Sequence, residues 1–442
     1  MLEEDAKIRA QPRHPDDPDD LEYALAPMIL YSDSTRLASF GRACLWPIYL
    51  FFASVSKYRR NKMSTFSAHH LAYLPSDFYT QLYGIPATTE VLRLCKVQLM
   101  HQIWLLLLDP DFIDAYENGF LVECGDNIIR RLFPRFFVYS ADYPERVLLA
   151  CIRFLAQWPC PLCYIRKEQI YGMGSWLDGK RRSQLRVDSH AIQTTIKQAR
   201  KYIFEKGYSV ASAGIKRMLE ARSLLPQQSA FSQRLAPFNF NFYSLFKPDL
   251  MHEFELGVWK AIFTHILRVM FALGGDKIQE FNARNISGMK QLAARDFEDI
   301  LQVRLLPEPF DAIVLTLVWL CAFWHAMAKL QIHTETTVHI LEDCTRTLGI
   351  ATRKFASACE DLDTRELPNE EAARGRREVN VAANQMSNKG KQPQKKKKQS
   401  GAKKKILNLS TFKWHSLGHY SMAIRQCGTI DNYSTQVVRE TI

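Results

Sequence analysis

The chain is short of cysteine and of long hydrophobic runs, and each shortage excludes a class of protein. Ten scattered cysteines among 442 residues are too few for a disulfide-stabilised scaffold and suit a reducing compartment. The most hydrophobic run, residues 313–327, contains a histidine, whereas a membrane-spanning helix needs about 20 apolar residues. The acidic N-terminus lacks the basic-then-apolar order of a secretory signal. We therefore expect a soluble intracellular protein with no membrane partner.

The chain also has almost no net positive charge outside one segment. The net charge is +12, yet residues 374–405 alone carry 12 basic side chains against one acid, which leaves +1 for the rest of the chain. Such a run either attracts phosphates in a salt-dependent, sequence-independent way or serves as a nuclear import signal. The plainer alternative is a solvated linker. The candidate nucleic-acid contacts are Lys395, Lys396, Lys397, Lys398, Lys403, Lys404 and Lys405.

Composition and periodicity divide the chain into five regions. Short apolar runs bounded by polar clusters predict strands, and a 3.6-residue period predicts helices. One stretch is rich in Gln, Lys and Asn and almost free of aromatic residues, so it is expected to be disordered. The five regions are a disordered acidic N-terminus (1–22), a core with the sheet (23–186), a helical insertion (187–368), a disordered Lys-rich linker (369–405) and a C-terminal part of the core (406–442).

Two of the predicted strands end in an aspartate, Asp33 on the first and Asp142 on the fourth. The order strand, strand, strand, helix, strand, helix is that of a ribonuclease H-like sheet, and chemistry in open α/β sheets gathers beyond the strand ends. We expect an α+β (mixed α/β) fold with a ribonuclease H-like sheet core. The predicted strands span residues 27–33, 46–54, 66–75 and 131–142, and the predicted helices of this region span 90–116 and 147–157.

Paired carboxylates at strand ends are typical of a metal site. Two carboxylates held close together repel each other unless a cation compensates their charge, and such hard oxygen ligands bind Mg²⁺ or Mn²⁺. Two metals of this kind stabilise the attacking and leaving oxygens of a phosphodiester. The ordinary alternative is that an aspartate after a strand begins a turn.

The segment PDLMHEFELGVWK, residues 248–260, offers further acids. On a helix, Asp249 and Glu253 share a face at i,i+4, and His252 and Glu255 share another at i,i+3. Acids in a first turn also complement the helix dipole, so a capped amphipathic helix explains the pattern as well. We take Glu253 as the candidate third acid, with Asp249 and Glu255 as alternatives.

Cys160 and Cys163 form a Cys-x-x-Cys pair that follows Asp142. A structural zinc site needs four ligands, and the chain has no second Cys-x-x-Cys. His190 or another distant histidine or cysteine would have to complete it. The alternative is a pair of small buried side chains.

Ordered motifs from about residue 24 to residue 436 resemble those of Plavaka-type transposases, which are CACTA-like cut-and-paste elements of mushroom-forming fungi. The motifs are YSDSTRL, HQIWLLLLDPDFIDAYENG, LFPRFFVYSADYPERVLLACIRF, NFYSLFKPDLMHEFELGVWKAIFTHILR, LAARDFEDILQ and ELPNEEAARGRR.

The resemblance implies a DDE transposase, with a ribonuclease H-like core, two divalent metals, and DNA cleavage and joining by phosphoryl transfer. Asp33 in YSDSTRL matches the first acid, and Asp142 in SADYPE matches the second. Cys160 and Cys163 match a cysteine motif that looks like a zinc knuckle, although relatives often carry one more cysteine. The implied partners are transposon ends and target DNA, together with a homo-oligomer. The implied location is the nucleus, and no small-molecule substrate is expected.

Two departures from the family pattern bear on activity. Relatives begin well upstream, often with a zinc-finger-like module, and continue past the NYSTQ motif (residues 432–436) into a Gly-Glu-Leu-Glu-His type of helix, whereas this sequence reads VVRETI there. A glutamate of that helix is a candidate third acid. The leading expectation is therefore a truncated, inactive transposase copy. The alternatives are a non-catalytic nuclear DNA-binding or scaffold protein, and an active nuclease that uses Asp33, Asp142 and Glu253.

Overall fold

Two long parallel strands lie side by side at the centre of a five-stranded sheet in the computed structural model, which describes residues 1–36, 44–75, 78–85, 88–274, 294–302, 312–388 and 401–435. The sheet order is β5–β4–β1–β7–β6, and β2 and β3 form a separate ribbon. β1 pairs with β7 in parallel, and the other neighbours in the sheet are antiparallel. The strands are β1 (Glu22–Ser32), β2 (Thr35–Arg36), β3 (Cys44–Leu45), β4 (Pro47–Phe52), β5 (His69–Tyr73), β6 (Phe120–Glu123) and β7 (Ile129–Ser140).

The central strands form because their sequences are nearly continuous apolar runs. Residues 26–32 of β1 are all buried, as are the last three residues of β7, which is the pattern of strands covered on both faces. Helices supply that cover and make up much of the remaining chain. The α+β class expected from the sequence is confirmed.

Helices flank the sheet and fill the region after it. The α-helices are α1 (Leu2–Ala10), α2 (Lys57–Arg60), α3 (Phe78–Tyr83), α4 (Thr89–Leu107), α5 (Pro110–Asn118), α6 (Tyr143–Leu149), α7 (Trp176–Arg182), α8 (His190–Phe204), α9 (Ala213–Glu220), α10 (Ala230–Leu235), α11 (Lys260–Leu273), α12 (Ala294–Gln302), α13 (Ala312–Ala328), α14 (Glu335–Ala358), α15 (Pro368–Asn388), α16 (Phe412–Ser416) and α17 (Tyr420–Cys427). Short 3₁₀ helices span Met63–Thr65, Lys167–Gly172, Ala236–Phe238, Phe242–Leu245, Leu417–His419 and Ile430–Asn432.

A π-helix, Met251–Trp259, leads directly into α11. Such wide turns are rare and frequently occur at functional sites. The combined stretch is long and apolar enough to cross a membrane. However, it carries two buried glutamates, Glu253 and Glu255, each with a basic partner in the fold. This is the environment of a helix in a protein interior.

One hydrophobic core joins the predicted regions. A single cluster of buried side chains includes Tyr31 of the sheet, Trp324 of the helical region and Tyr420 of the C-terminal segment. Trp324 packs edge-on to Tyr420 with ring centroids 5.0 Å apart. The helical region and the C-terminal segment are therefore parts of one packed interior, and the domain boundaries drawn from the sequence stay a prediction.

Two predicted helices differ from those observed. The stretch 90–116 is two helices, because Pro110 begins α5 and the Asp109 side chain caps it. The predicted helix 147–157 is wrong over most of its length, since α6 ends at Leu149. Beyond it, Cys151 has a φ of 52°, and the backbone N–H of Arg153 bonds to Ser223 O at 2.7 Å. Tertiary pairing there overrides the apolar periodicity of the sequence.

The two segments expected to be disordered contain ordered structure. The N-terminal segment forms α1, and Asp17 makes an ion pair with Arg131 at 2.5 Å. In the Lys-rich region, α15 continues to residue 388, and the backbone N–H of Glu366 donates to the carbonyl of Lys403 at 2.9 Å. Local ion pairs, such as Arg374 with Glu366 at 3.0 Å, stabilise structure that composition alone does not predict.

Candidate active site and metal centre

Asp33 and Asp142 follow neighbouring strand ends. In the parallel pair β1–β7, Tyr31 lies opposite Ser140, so each aspartate comes two residues after a paired position. Adjacent strands lie about 4.8 Å apart. Asp33 is 7% exposed. The structure thus brings together the two acids that the sequence analysis selects.

Asp142 also caps the N-terminus of α6. Its carboxylate accepts a hydrogen bond from the backbone N–H of Glu145 at 2.9 Å, as a capping aspartate does. Burial raises the pKa of Asp142, and the negative charge of Asp33 adds to the shift, while the Glu145 N–H, His252 and Arg146 oppose it. A half-buried carboxylate destabilised by a second one is the electrostatic situation that a bound cation relieves.

Glu145 is a third buried acid beside this pair, and the sequence analysis missed it. Its side chain accepts hydrogen bonds from Trp46 Nε1 at 3.0 Å and from the Ser32 hydroxyl. Burial raises the pKa of Glu145 to about 8, assisted by the charges of Asp142 and Asp33 and opposed by the two hydrogen bonds. Its position three residues after Asp142, in the first turn of α6, was the available signal.

Asp249 lies next to His252 at the start of the π-helix. Its Oδ2 atom is 2.5 Å from His252 Nδ1, and its Oδ1 atom accepts the backbone N–H of Thr435 at 3.0 Å. Burial works to raise the pKa of Asp249, but His252, the Thr435 N–H and the charge of Arg146 together lower it. His252 and Arg146 act on Asp142 as well. We call Asp33, Asp142 and Asp249 the acid cluster, in which Asp249 is linked to Asp142 through His252 and Arg146.

Glu253 is paired with an arginine and is not part of the acid cluster. It forms an ion pair with Arg146, and both side chains are at most 1% exposed. Arg146 also donates to the carbonyl of Lys247 at 2.6 Å. The charge of Glu253 is therefore compensated by a buried arginine that joins α6 to the π-helix.

Glu255 faces the helical region. Its Oε1 atom is 3.0 Å from His325 Nε2 on α13. Glu255, Glu298 of α12 and His325 each have a ligand atom within 4.8 Å of the other two, but Glu298 also forms an ion pair with Lys329.

Lys413 approaches the acid cluster from the C-terminal segment. It donates to the carbonyl of Leu256 at 2.9 Å, and burial together with the charge of Lys260 lowers the pKa of Lys413 while Asp142 opposes the shift. A Cβ at Gly257 would lie 2.7 Å from Lys413 Cδ and 3.0 Å from the His252 carbonyl oxygen, so a larger residue there would displace the lysine.

The Cys-x-x-Cys pair meets two histidines from the C-terminal segment. Cys160, Cys163, His415 and His419 are each at most 2% exposed, and one ligand atom from each lies within 4.8 Å of all the others. We call this group the cysteine–histidine cluster. His190, which the sequence analysis suggested as a ligand, is exposed at the start of α8 and outside the cluster.

Side-chain hydrogen bonds to backbone carbonyls fix the loop that carries the cysteines. The buried Arg186 donates from Nε to the carbonyl of Cys160 at 2.8 Å and from Nη2 to the carbonyl of Trp158 at 3.1 Å. The Tyr143 hydroxyl donates to the carbonyl of Pro159 at 3.0 Å. These bonds fix the cysteine backbone independently of any ligand.

The sequence model of the Plavaka transposase family matches residues 4–266, more than half of the chain. The chain belongs to the Plavaka transposase family. The matched segment contains the whole acid cluster and both cysteines, whereas His415 and His419 lie beyond it. None of the curated proteins matches the chain.

The lysines are only partly described in this Plavaka family member. Lys395, Lys396, Lys397 and Lys398 lie outside the described residues. Lys403 and Lys404 are exposed, and Lys405 Nζ is 3.3 Å from Glu366 Oε1. The described lysines are therefore attached to the folded body near α15.

Proposed function

We propose that the chain is a DDE-type transposase with a ribonuclease H-like core, in which the acid cluster holds Mg²⁺ or Mn²⁺ for DNA strand cleavage and joining. The observation that carries the proposal is the placement of Asp33 and Asp142 at the same end of two adjacent parallel strands. Membership of a transposase family supports DNA as the partner.

The residues fit a divalent metal on chemical grounds. Oxygen donors from carboxylates are what Mg²⁺ and Mn²⁺ prefer, and the raised pKa of Asp142 reflects burial next to a second carboxylate. Bound metals would supply positive charge to the attacking and leaving oxygens of a phosphodiester. Asp33 and Asp142 would be ligands in this arrangement.

We infer that Asp249 is the third acid, because its electrostatic neighbours are also those of Asp142. It shares His252 and Arg146 with Asp142 as electrostatic neighbours, and its low pKa keeps it ionised. Glu253, taken first from the sequence, already has Arg146 as a counter-ion, so its charge is less available to a metal. We assign the third-ligand role to Asp249 and a positioning role to Glu253.

Several neighbouring groups would orient the site and the nucleic acid. His252 and the Thr435 N–H hold the Asp249 carboxylate, and the Asp142 side chain is fixed because it caps α6. Lys413 supplies a cation within electrostatic reach of Asp142, where it suits a DNA phosphate. The Lys-rich segment would add salt-dependent attraction to DNA and serve nuclear import, and a homo-oligomer would pair transposon ends.

The deciding experiment is a strand-cleavage assay. The full chain is incubated with labelled DNA carrying the ends of its own element, with Mg²⁺, with Mn²⁺ and with chelator. Metal-dependent cutting that disappears in Asp142→Asn, and persists in the exposed-site control Asp361→Asn, is the expected result. Cutting that persists in Asp142→Asn would refute the assignment.

The competing function is a DNA-binding or scaffold protein that retains the fold without catalysis. The buried pairs of Glu253 with Arg146 and of Glu255 with His325 favour this alternative, because they give both acids a structural role in place of a catalytic one. It predicts DNA binding without strand cleavage under any metal, and the same assay with a binding measurement separates the two.

A further inference from the structure

The cysteine–histidine cluster joins two parts of the chain that are about 250 residues apart. Cys160 and Cys163 lie in the loop after α6, while His415 and His419 occupy one turn at the start of the C-terminal segment. Cys163 Sγ is 3.1 Å from His415 Nε2 and 3.6 Å from His419 Nε2; Cys160 Sγ is also 3.6 Å from His419 Nε2. The two Nε2 atoms are 2.9 Å apart.

These separations are those of ligands around one zinc ion. Zinc binds thiolate sulfur at about 2.3 Å and imidazole nitrogen at about 2.0–2.1 Å in a tetrahedron. That geometry puts sulfur and nitrogen about 3.5 Å apart and two nitrogens about 3.4 Å apart. Two of the three sulfur–nitrogen distances agree closely, while the Cys163–His415 distance of 3.1 Å and the nitrogen–nitrogen distance of 2.9 Å each require a lengthening of about half an ångström or less on metal binding.

The chemistry of the cluster also favours a metal over plain packing. The two imidazole Nε2 atoms face each other, and both sulfurs lie beside them. Few protons are available for hydrogen bonds among these four atoms, so their hydrogen-bonding capacity stays poorly satisfied in the buried cluster without a cation. The backbone N–H of Leu162 donates to Cys160 Sγ at 3.3 Å, which is the type of bond that supports a metal-bound thiolate. All four ligands are protein side chains, as in a closed structural site.

We propose that a zinc ion bound by Cys160, Cys163, His415 and His419 fastens the C-terminal segment to the core and so completes the acid cluster. Downstream of His419, the same segment places the Tyr433 carbonyl 2.7 Å from the Ser140 hydroxyl at the end of β7. It also brings the Thr435 N–H to Asp249. The zinc site is independent of the proposed function; only its effect on the acid cluster rests on it.

The first test is the metal content of the full chain, purified without added metal and measured by mass spectrometry. About one zinc per chain is expected. Cys160→Ser and His419→Gln should each lose most of it, whereas Cys344→Ser, a buried cysteine outside the cluster, should keep it. A chain without zinc, or one that keeps zinc in both cluster variants, would overturn the proposal.

Cobalt substitution covers the case in which the variants do not fold. Co²⁺ in the full wild-type chain should show thiolate charge-transfer absorption and the intense visible bands of tetrahedral coordination. Octahedral spectra without thiolate absorption would contradict the ligand set. Asp142→Asn should keep its zinc while it loses DNA cleavage, so failure of the zinc proposal and failure of the transposase proposal are distinguishable.

Hydrogen exchange tests the link to the acid cluster. Removal of zinc by a chelator should speed exchange in residues 411–435 by at least about tenfold and leave the buried part of α4 nearly unchanged. Equal protection with and without zinc would show that the metal does not hold the segment.

Discussion

The acid cluster and the cysteine–histidine cluster are both built from distant parts of the chain, yet their chemistry differs. The acid cluster offers only oxygen donors, and its member Asp142 is partly exposed. The cysteine–histidine cluster offers sulfur and nitrogen, and its four side chains are almost fully buried. Oxygen ligands suit Mg²⁺ and Mn²⁺, whereas buried thiolates and imidazoles suit a permanently held Zn²⁺.

The comparison assigns a catalytic role to the acid cluster and a structural role to the cysteine–histidine cluster. A catalytic metal needs open coordination positions for water and substrate, and a structural metal is closed by protein ligands. The C-terminal segment takes part in both: it supplies His415 and His419 to one cluster and the Thr435 N–H to the other. Substitutions in the cysteine–histidine cluster should therefore also disturb the acid cluster. Substitutions in the acid cluster should leave zinc binding at the cysteine–histidine cluster unchanged.

The largest expected effect is on catalysis. Asp249→Asn removes a metal ligand from the acid cluster and should lower the rate of DNA cleavage by on the order of 10³-fold or more, as the loss of one member of a catalytic unit does. Zinc content should not change. Normal cleavage by Asp249→Asn, with loss in a Glu253→Gln variant of unchanged Tm, would return the third-ligand role to Glu253.

The next largest effect is on stability. It concerns the buried ion pair between Arg146 of α6 and Glu253 of the π-helix. Arg146→Met leaves Glu253 buried without a counter-ion and should destabilise the fold by about 3–5 kcal/mol. The double variant Arg146→Met/Glu253→Leu should recover most of that loss. The exposed pair of Arg346 and Asp343 is the control, since Arg346→Met should cost less than about 1 kcal/mol. Denaturant unfolding measures all three.

A buried histidine outside both clusters gives a smaller, pH-dependent effect. Burial, with the charge of Arg268, lowers the pKa of His265 to about 4. The unfolded chain therefore binds more protons than the folded one between pH 6.5 and 4, and stability falls as the pH falls through this window. At pH 5 the loss is about 2 kcal/mol. His265→Leu should reduce the drop in Tm between pH 8 and pH 5; an unchanged drop would contradict the assignment.

The smallest effect at physiological salt is expected from the lysine tract, which belongs to neither cluster. Replacement of Lys395, Lys396, Lys397 and Lys398 by glutamine should weaken DNA binding roughly five-fold near 0.15 M salt and reduce the salt slope by about 1, the loss of about one phosphate contact. Cleavage of saturating DNA should stay the same. An unchanged slope would place the DNA contacts on the folded body, with Lys413 as the first residue to test.

The strand-end acids were predictable because their signals are local. Apolar runs of strand length end at Asp33 and Asp142, and parallel pairing of those strands is enough to bring them together. His415 and His419 were not predicted as ligands, although the i,i+4 pair in WHSLGHY was a usable signal. The two histidines are far from Cys160 in sequence, and only the packing of the C-terminal segment brings them next to it.

The choice of third acid and the end of α6 depended on tertiary contacts. Asp249, Glu253 and Glu255 are equivalent in a helical pattern, and only the positions of Arg146 and His325 distinguish them. The apolar stretch after α6 looked helical, but its backbone pairs with residues near Leu224 instead. Sequence periodicity cannot report a pairing partner more than 70 residues away.

Manganese binding tests the assignment of different metals to the two clusters most directly. The full chain, with its zinc retained, is titrated with Mn²⁺ and the free ion is followed by electron paramagnetic resonance, beside Asp142→Asn and Asp361→Asn. Our account predicts that the wild type and Asp361→Asn bind Mn²⁺ alike, and that Asp142→Asn loses this binding while it keeps its zinc. Equal manganese binding by Asp142→Asn and the wild type would contradict the account.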